Sequence, residues 1–247
     1  MRKLVVDNNL FVSRAHVEEE EEEMSGLDTA QFFTPENGVV ALFDEVTPAS
    51  AAKFVDELMA TFLSNPLAPI LIWINSPGGS VYDGLLIIEA IKTLPVPTIG
   101  FVSGVGASMG LYILQACTHR YIGSLSLLFW HEMIKMDFAP TVTAKEAEKK
   151  AADYTKLNKH LLDFLKGRIK IPDEMWQKVF IGQNDITFTA KESKKLNLVD
   201  GVIENQATLI QLYKKLTDDM EKQNARDESA RSKKGTRAVR GKTSKPA

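Results

Sequence analysis

An unbroken apolar run, Ile70-Leu71-Ile72-Trp73-Ile74, stops at Asn75-Ser76-Pro77-Gly78-Gly79-Ser80. A run with no polar alternation suits a strand buried on both faces, which demands a covering layer on each side of a sheet. The Pro-Gly-Gly sequence ends it with turn chemistry and leaves backbone amides uncrowded by side chains. A second apolar strand, Thr98–Ser103, leads into Gly104-Val105-Gly106-Ala107-Ser108-Met109-Gly110. The small residues around Ser108 let a strand turn sharply into a helix, the setting of a nucleophile on a tight turn.

The remaining chain supplies layers for this sheet. Gly38–Phe43 predicts the first core strand, and Thr47-Pro48 predicts a helix start with Thr47 as N-cap. Phe54, Val55, Leu58, Met59 and Phe62 fall on one face of that helix, which ends at Asn65-Pro66. Ser80 caps a second helix with Leu85, Ile88 and Ile91 on one face, and Pro95 and Pro97 force the chain out of it. Strand and helix alternate in this way through Gln115, which argues for parallel strands with right-handed crossovers. Ligands then bind at the carboxyl ends of the strands, where both glycine motifs sit.

Beyond Gln115 the signals are shorter. Residues 119–134 read as short strands around a turn, with His131 ending an apolar run. A charged helix follows from Thr143 to about Lys170, with Ala144, Ala147, Ala151, Tyr154, Leu157, Leu161 and Phe164 at three- and four-residue intervals. Such a face packs on the core or on a neighbouring subunit. Pro172 predicts a short helix through Phe180, Gly182-Gln183-Asn184-Asp185 a break, Ile186–Phe188 a brief strand, and Thr189 the cap of another helix. Leu196, Leu198, Val199, Val202 and Ile203 complete the core, and an amphipathic helix continues through Leu209, Leu212 and Leu216.

INSPGGS at 74–80, GASMG at 106–110, and a histidine and an aspartate further on, in that order, resemble the proteolytic subunit of the Clp protease over roughly residues 38–204. The resemblance implies an α/β fold of the ClpP and crotonase-like kind, a repeated β-β-α superhelix with a mostly parallel sheet, here with a helical C-terminal extension. It implies a serine endopeptidase with Ser108 as nucleophile, His131 as general base and acid, and Asp185 as the orienting carboxylate. It also implies that the amides of Gly79 and Met109 form the oxyanion hole. The residues suit these roles: attack by a serine hydroxyl needs a base, an orienting group and amide donors for the oxyanion. A glycine permits close approach, and a helix start carries unsatisfied N–H groups. Taken singly, each residue also has an ordinary structural explanation in packing, a core hydrogen bond or a turn. Asn184 competes with Asp185 if the register slips by one. His16, His119 and His160 read as solvated or structural, and Cys117 as a buried small hydrophobe.

Composition bears mainly on the ends and on the compartment. The chain has 247 residues, ordinary hydrophobic and charged content, and a net charge of -2. Glu18–Glu23 form an acidic run, whereas the last nineteen residues carry seven Lys/Arg and no acid. The expected organisation is an acidic flexible arm over 1–37, the peptidase domain over 38–204, a helix over 205–224, and a basic disordered tail over 225–247. A lone cysteine excludes an internal disulfide and a cysteine metal cluster, and no leader or membrane-spanning run is evident. A cytoplasmic protein without metal or cofactor is expected. The resemblance implies peptide or unfolded protein as substrate and a homo-oligomeric ring enclosing the sites. With no Walker-type phosphate loop, ATP-driven unfolding falls to a separate AAA+ unfoldase. For the basic tail, a solvated role, an electrostatic contact with nucleic acid and self-removal compete.

The chain also departs from the family. His131 is followed by Glu132-Met133 where Gln-Pro is typical, the handle strand is reduced to Lys135–Pro140 without glycine, and a glutamate-rich arm replaces the axial segment. These departures leave two alternatives open: a phage head-maturation protease of the same fold, and an inactive assembly component. Gly106–Gly110 also satisfies the G-x-S-x-G pattern of α/β-hydrolases, but that fold wants its acid before its histidine.

Overall fold

The computed structural model describes residues 37–131, 143–181 and 185–240. The acidic run, the Lys135–Pro140 segment and Asn184 lie outside the described residues, as do 241–247 at the end of the basic tail. The elements in order are β1 (Val39–Leu42), α1 (Pro48–Ser64), β2 (Ile70–Ser76), α2 (Val81–Thr93), β3 (Thr98–Ala107), α3 (Met109–Ala116), β4 (His119–Gly123) and β5 (Leu127–His131). There follow α4 (Ala144–Arg168), α5 (Asp173–Trp176), a π-helical turn (Gln177–Ile181), β6 (Asp185–Thr189), α6 (Ala190–Lys195), β7 (Gly201–Ile203) and α7 (Gln206–Arg240).

The fold is mixed α/β, with a mostly parallel open sheet in the order β1-β2-β3-β4-β7. The β2 run is apolar throughout because both its faces are covered. Ile70, Ile72 and Ile74 pack with Phe54 and Leu58 of α1, Ile87, Ile88 and Ile91 of α2, and Leu111 and Leu114 of α3. Leu71 packs on the opposite face with Val39, Ile99 and Phe101, beneath Leu209 and Tyr213 of α7. Burying one such isoleucine contributes about 1.5–3 kcal/mol, so the central strands set the layer order.

Local chemistry fixes the helix starts. Thr47, Thr143 and Thr189 each accept a hydrogen bond from the N–H three residues on, and the side chain of Ser50, Glu146 or Glu192 returns a bond to the cap residue's own amide. In α4 only the second half is anchored: Leu161 and Leu165 are buried, whereas Ala147 and Ala151 are exposed. The C-terminal helix continues to Arg240, past the end at 224 that composition suggested. Among the described residues no helix is long and apolar enough to cross a membrane.

β3 corrects the expectation that its strand ends at Ser103. It continues to Ala107 by changing neighbours: Ile99–Val102 pair with β4, and Val105–Ala107 pair with β5. At the change-over, side chains stand in for ladder carbonyls. Val105 N–H donates to Asn75 Oδ1 at 3.1 Å and Gly104 N–H to Ser126 Oγ at 2.9 Å. The two short strands around the turn after Gly123 therefore pair with successive halves of β3, not with one another. β6 closes the sheet locally by running antiparallel to β5.

Candidate active site

Ser108 follows β3 directly and precedes the first residue of α3. Its backbone has φ 51° and ψ −119°, a left-handed conformation that costs a non-glycine residue about 1–3 kcal/mol. The surrounding ladder holds it there, since Ser108 N–H donates to the Phe129 carbonyl of β5 at 2.8 Å and its own carbonyl accepts from Leu111 N–H at 3.1 Å. Serine at an N-cap usually turns its hydroxyl back onto the helix. Ser108 makes no such bond, so its Oγ is not spent on capping. Met109 opens α3, where a helix has N–H groups without intrahelical acceptors.

The Pro77-Gly78-Gly79 turn lies against this elbow. A Cβ on Gly78 would stand 2.7 Å from Ser108 Cβ and 2.9 Å from Met109 N, so only glycine lets the two segments approach this closely. On its other side the turn is held by Val46: Val46 N–H donates to the Gly78 carbonyl and Ser80 N–H to the Val46 carbonyl, both at 2.7 Å. In a trans peptide the carbonyl and the following N–H point in opposite directions. Holding Gly78 C=O toward Val46 therefore sends Gly79 N–H away from Val46.

His131 is the last residue of β5 and Asp185 the first of β6, and the two are directly opposed in the antiparallel ladder. Alternation puts them on one face with Phe129 and Thr187, the His131 ring being 5.8 Å from that of Phe129. The other face of β5 is anchored in the core. Trp130 is buried, donates Nε1–H to the Tyr112 hydroxyl of α3 at 3.1 Å, and meets Phe180 edge-on at 5.4 Å. Phe180 stacks on Trp176 at 4.6 Å and lies 6.1 Å from Phe188 of β6. Burial pushes the Tyr112 phenol up to about 12, against the smaller opposing effect of Trp130, so it remains neutral. This aromatic support was not anticipated from the sequence. Its signal is the indole next to His131, because a buried Trp needs a partner for its N–H.

All five candidate positions thus come to one edge of the sheet. Gly79 follows the carboxyl end of β2, Ser108 and Met109 that of β3, and His131 that of β5, with Asp185 brought alongside by the reversed direction of β6. Elsewhere, His119 lies half-buried on β4 and His160 exposed on α4. Cys117 is fully buried, and burial pushes its thiol up to about 12 despite Thr98, Arg168 and Arg120 pulling it down, which leaves it un-ionised and inert. Beneath α3, Arg120 of β4 grips Asp200 through both carboxylate oxygens and also reaches Gln115.

Comparison with known proteins gives a consistent result. The family model described as Clp protease matches residues 21–206. The chain is 32% identical over 162 residues, 65% of its length and 83% of the relative's, to the ATP-dependent Clp protease proteolytic subunit 1 of Chlamydia caviae. It is 30% identical over 174 residues (69% and 83%) to subunit 3 of Rhodococcus jostii, and 26% identical over 171 residues (68% and 76%) to subunit 3 of Streptomyces coelicolor.

Proposed function

This chain belongs to the Clp protease family, and on that premise we propose that it is a serine endopeptidase acting through Ser108, His131 and Asp185. His131 takes the proton from Ser108 Oγ as the oxygen bonds to the scissile carbonyl carbon. The amides of Gly79 and Met109 receive the negative charge that develops on the carbonyl oxygen. When the C–N bond breaks, the same histidine hands its proton to the leaving amine. Water, deprotonated in turn by His131, then releases the acyl group from Ser108. Asp185 holds the imidazole in the tautomer this sequence needs.

The observation that carries the reading is the opposition of His131 and Asp185 two rungs beyond Phe129, whose carbonyl holds the amide of the strained Ser108. A structural serine has no need of a left-handed backbone with a hydroxyl kept off the helix cap. The relatives are named as proteolytic subunits of an ATP-dependent protease. By the same reading this chain is one subunit of a homo-oligomer whose sites face an enclosed space, fed with unfolded polypeptide by a separate ATPase.

Reaction with a fluorophosphonate probe, with peptide cleavage followed on the same sample, tests the chemistry. Labelling and turnover that both vanish in Ser108→Ala are expected. Turnover that persists in Ser108→Ala overturns the serine mechanism, and a parent protein that neither labels nor cleaves turns the reading toward an inactive assembly component. Sedimentation tests the assembly, and a fully active monomer would contradict it.

A further inference from the structure

Ser76 ends β2 and is completely buried, on the side of the sheet covered by α1, α2 and α3, with Ile72 and Ile74. Its hydroxyl both donates and accepts. It donates to the Asp44 carbonyl beyond the end of β1 at 2.7 Å and accepts from Gly78 N–H at 3.2 Å. The Ser76 carbonyl in turn lies against α3, where a Cβ on Gly110 would stand 3.0 Å from it. One small residue therefore touches the β1 connection, the glycine turn and the first turn of the helix that Ser108 begins.

A Gly-Gly turn left to itself has more backbone freedom than any other dipeptide. The two peptide units flanking Gly78 are nonetheless both tied. The Pro77–Gly78 unit is held through its N–H by Ser76 Oγ, and the Gly78–Gly79 unit through its carbonyl by Val46 N–H. The second tie aims the Gly79 amide. The first stops Gly78 from rotating beneath it, and both hold the turn to the same Asp44–Val46 segment.

We propose that Ser76 is a positioning residue for the oxyanion hole: its hydroxyl locks the peptide before Gly78 and so keeps Gly79 N–H aimed at the oxygen that becomes negative on Ser108 attack. This rests on the reading of Ser108 as the nucleophile. The contribution is made in the transition state, where the amide meets a full charge, and hardly in the substrate complex, where it meets a neutral carbonyl. Removal of the hydroxyl lowers kcat and spares KM.

The experiment uses the full chain with a peptide amide substrate and two inhibitors of the same peptide sequence. One is an aldehyde, whose adduct with Ser108 carries its oxygen in the oxyanion position, and the other is the corresponding alcohol, which cannot form the adduct. For Ser76→Ala the expected result is a kcat lower by about 10- to 100-fold, a KM within about twofold, aldehyde affinity lowered in step with kcat, and alcohol affinity unchanged. Thr143→Ala, which removes the cap of α4, controls for destabilisation: it lowers Tm and leaves kcat alone. If Ser76→Ala does not fold, Ser76→Cys carries the same test, because a thiol fills the space but hydrogen-bonds weakly. Ser108→Ala is assayed alongside. If Ser108 is essential while the Ser76 variants keep parental kcat and aldehyde affinity, or lose aldehyde and alcohol affinity equally, the role of Ser76 is overturned and the serine mechanism stands. If Ser108→Ala turns over like the parent, the mechanism falls and the proposal with it.

Discussion

His131 stands directly opposite Asp185 on the terminal rung of the β5–β6 ladder. Opposed residues of an antiparallel pair have Cβ atoms about 4.5–5.5 Å apart on the same face, so the backbone sets the distance between imidazole and carboxylate. The expected outcome of Asp185→Asn is a folded protein with kcat lower by about 10²- to 10⁴-fold, because the amide stabilises the wrong tautomer. His131→Ala should abolish turnover. Peptide hydrolysis measured beside a thermal melt checks both, and an Asp185→Asn protein working at the parent rate would place the orienting group elsewhere.

Gly79→Ala should be worse than an ordinary turn substitution. The residue has φ +143°, and an added Cβ would come within 2.3 Å of the Val46 carbonyl oxygen and 2.9 Å of Val46 N. These are backbone atoms that cannot swing aside, so the Val46 bridge must open. A loss of about 2–4 kcal/mol is expected together with near-complete loss of activity. Denaturant titration and turnover report the two effects separately.

The Trp130–Tyr112 bond ties the strand that ends in His131 to the helix that Ser108 begins. Tyr112→Phe keeps the ring and deletes the acceptor, leaving a buried indole N–H unpaired at a cost of about 1–3 kcal/mol. Phe180→Ala removes the ring that touches Trp130, Trp176 and Phe188, and should cost about 3–5 kcal/mol. Urea unfolding checks both, and a Tyr112→Phe protein as stable as the parent would mean that the indole finds another partner.

What could be read in the sequence was what is decided locally. β2 declared itself because burial on both faces leaves no polar alternation, and Thr47 and Thr189 declared their helices because a cap is made within four residues. β3 was cut short because glycines in a strand look like a turn when the side chains that complete the ladder come from elsewhere in the chain, Asn75 from β2 and Ser126 from the turn before β5. Five residues for the site came from resemblance, with local chemistry that suited them. Their approach depends on β3 changing partners and on β6 running backwards, and neither is encoded in spacing. The support of Trp130 by Phe180 and Tyr112 was hidden for the same reason. α4 shows the converse: its periodic face was plain, yet packing uses only the part near Leu161 and Leu165.

The last prediction concerns acid. Asp200 accepts from the Arg120 guanidinium at 2.6 and 3.2 Å and from Arg120 N–H at 2.8 Å, and Arg120 Nη1 donates to Gln115 Oε1 at 2.6 Å, with Gln115 Nε2 donating to the Leu198 carbonyl at 2.9 Å. The network joins the end of α3 to β4 and the approach to β7. Burial alone would raise the Asp200 carboxyl, but the hydrogen bonds and charge of Arg120 outweigh it and hold the carboxyl below its usual range. A carboxyl depressed in the folded state contributes stability that is complete above its unfolded value, about 4, and is lost as pH falls through the folded one. Asp200→Asn leaves the Arg120 side chain, only 9% exposed, without its counter-charge. Because Asp200 itself is 38% exposed, water softens the loss to about 2 kcal/mol near neutral pH. The variant should therefore melt below the parent at pH 7, and the gap between them should narrow as pH is lowered from about 5 toward 2, since protonation makes the parent resemble the variant. A series of melts across that range decides the matter: a gap that stays constant would show that Asp200 contributes by shape and not by charge.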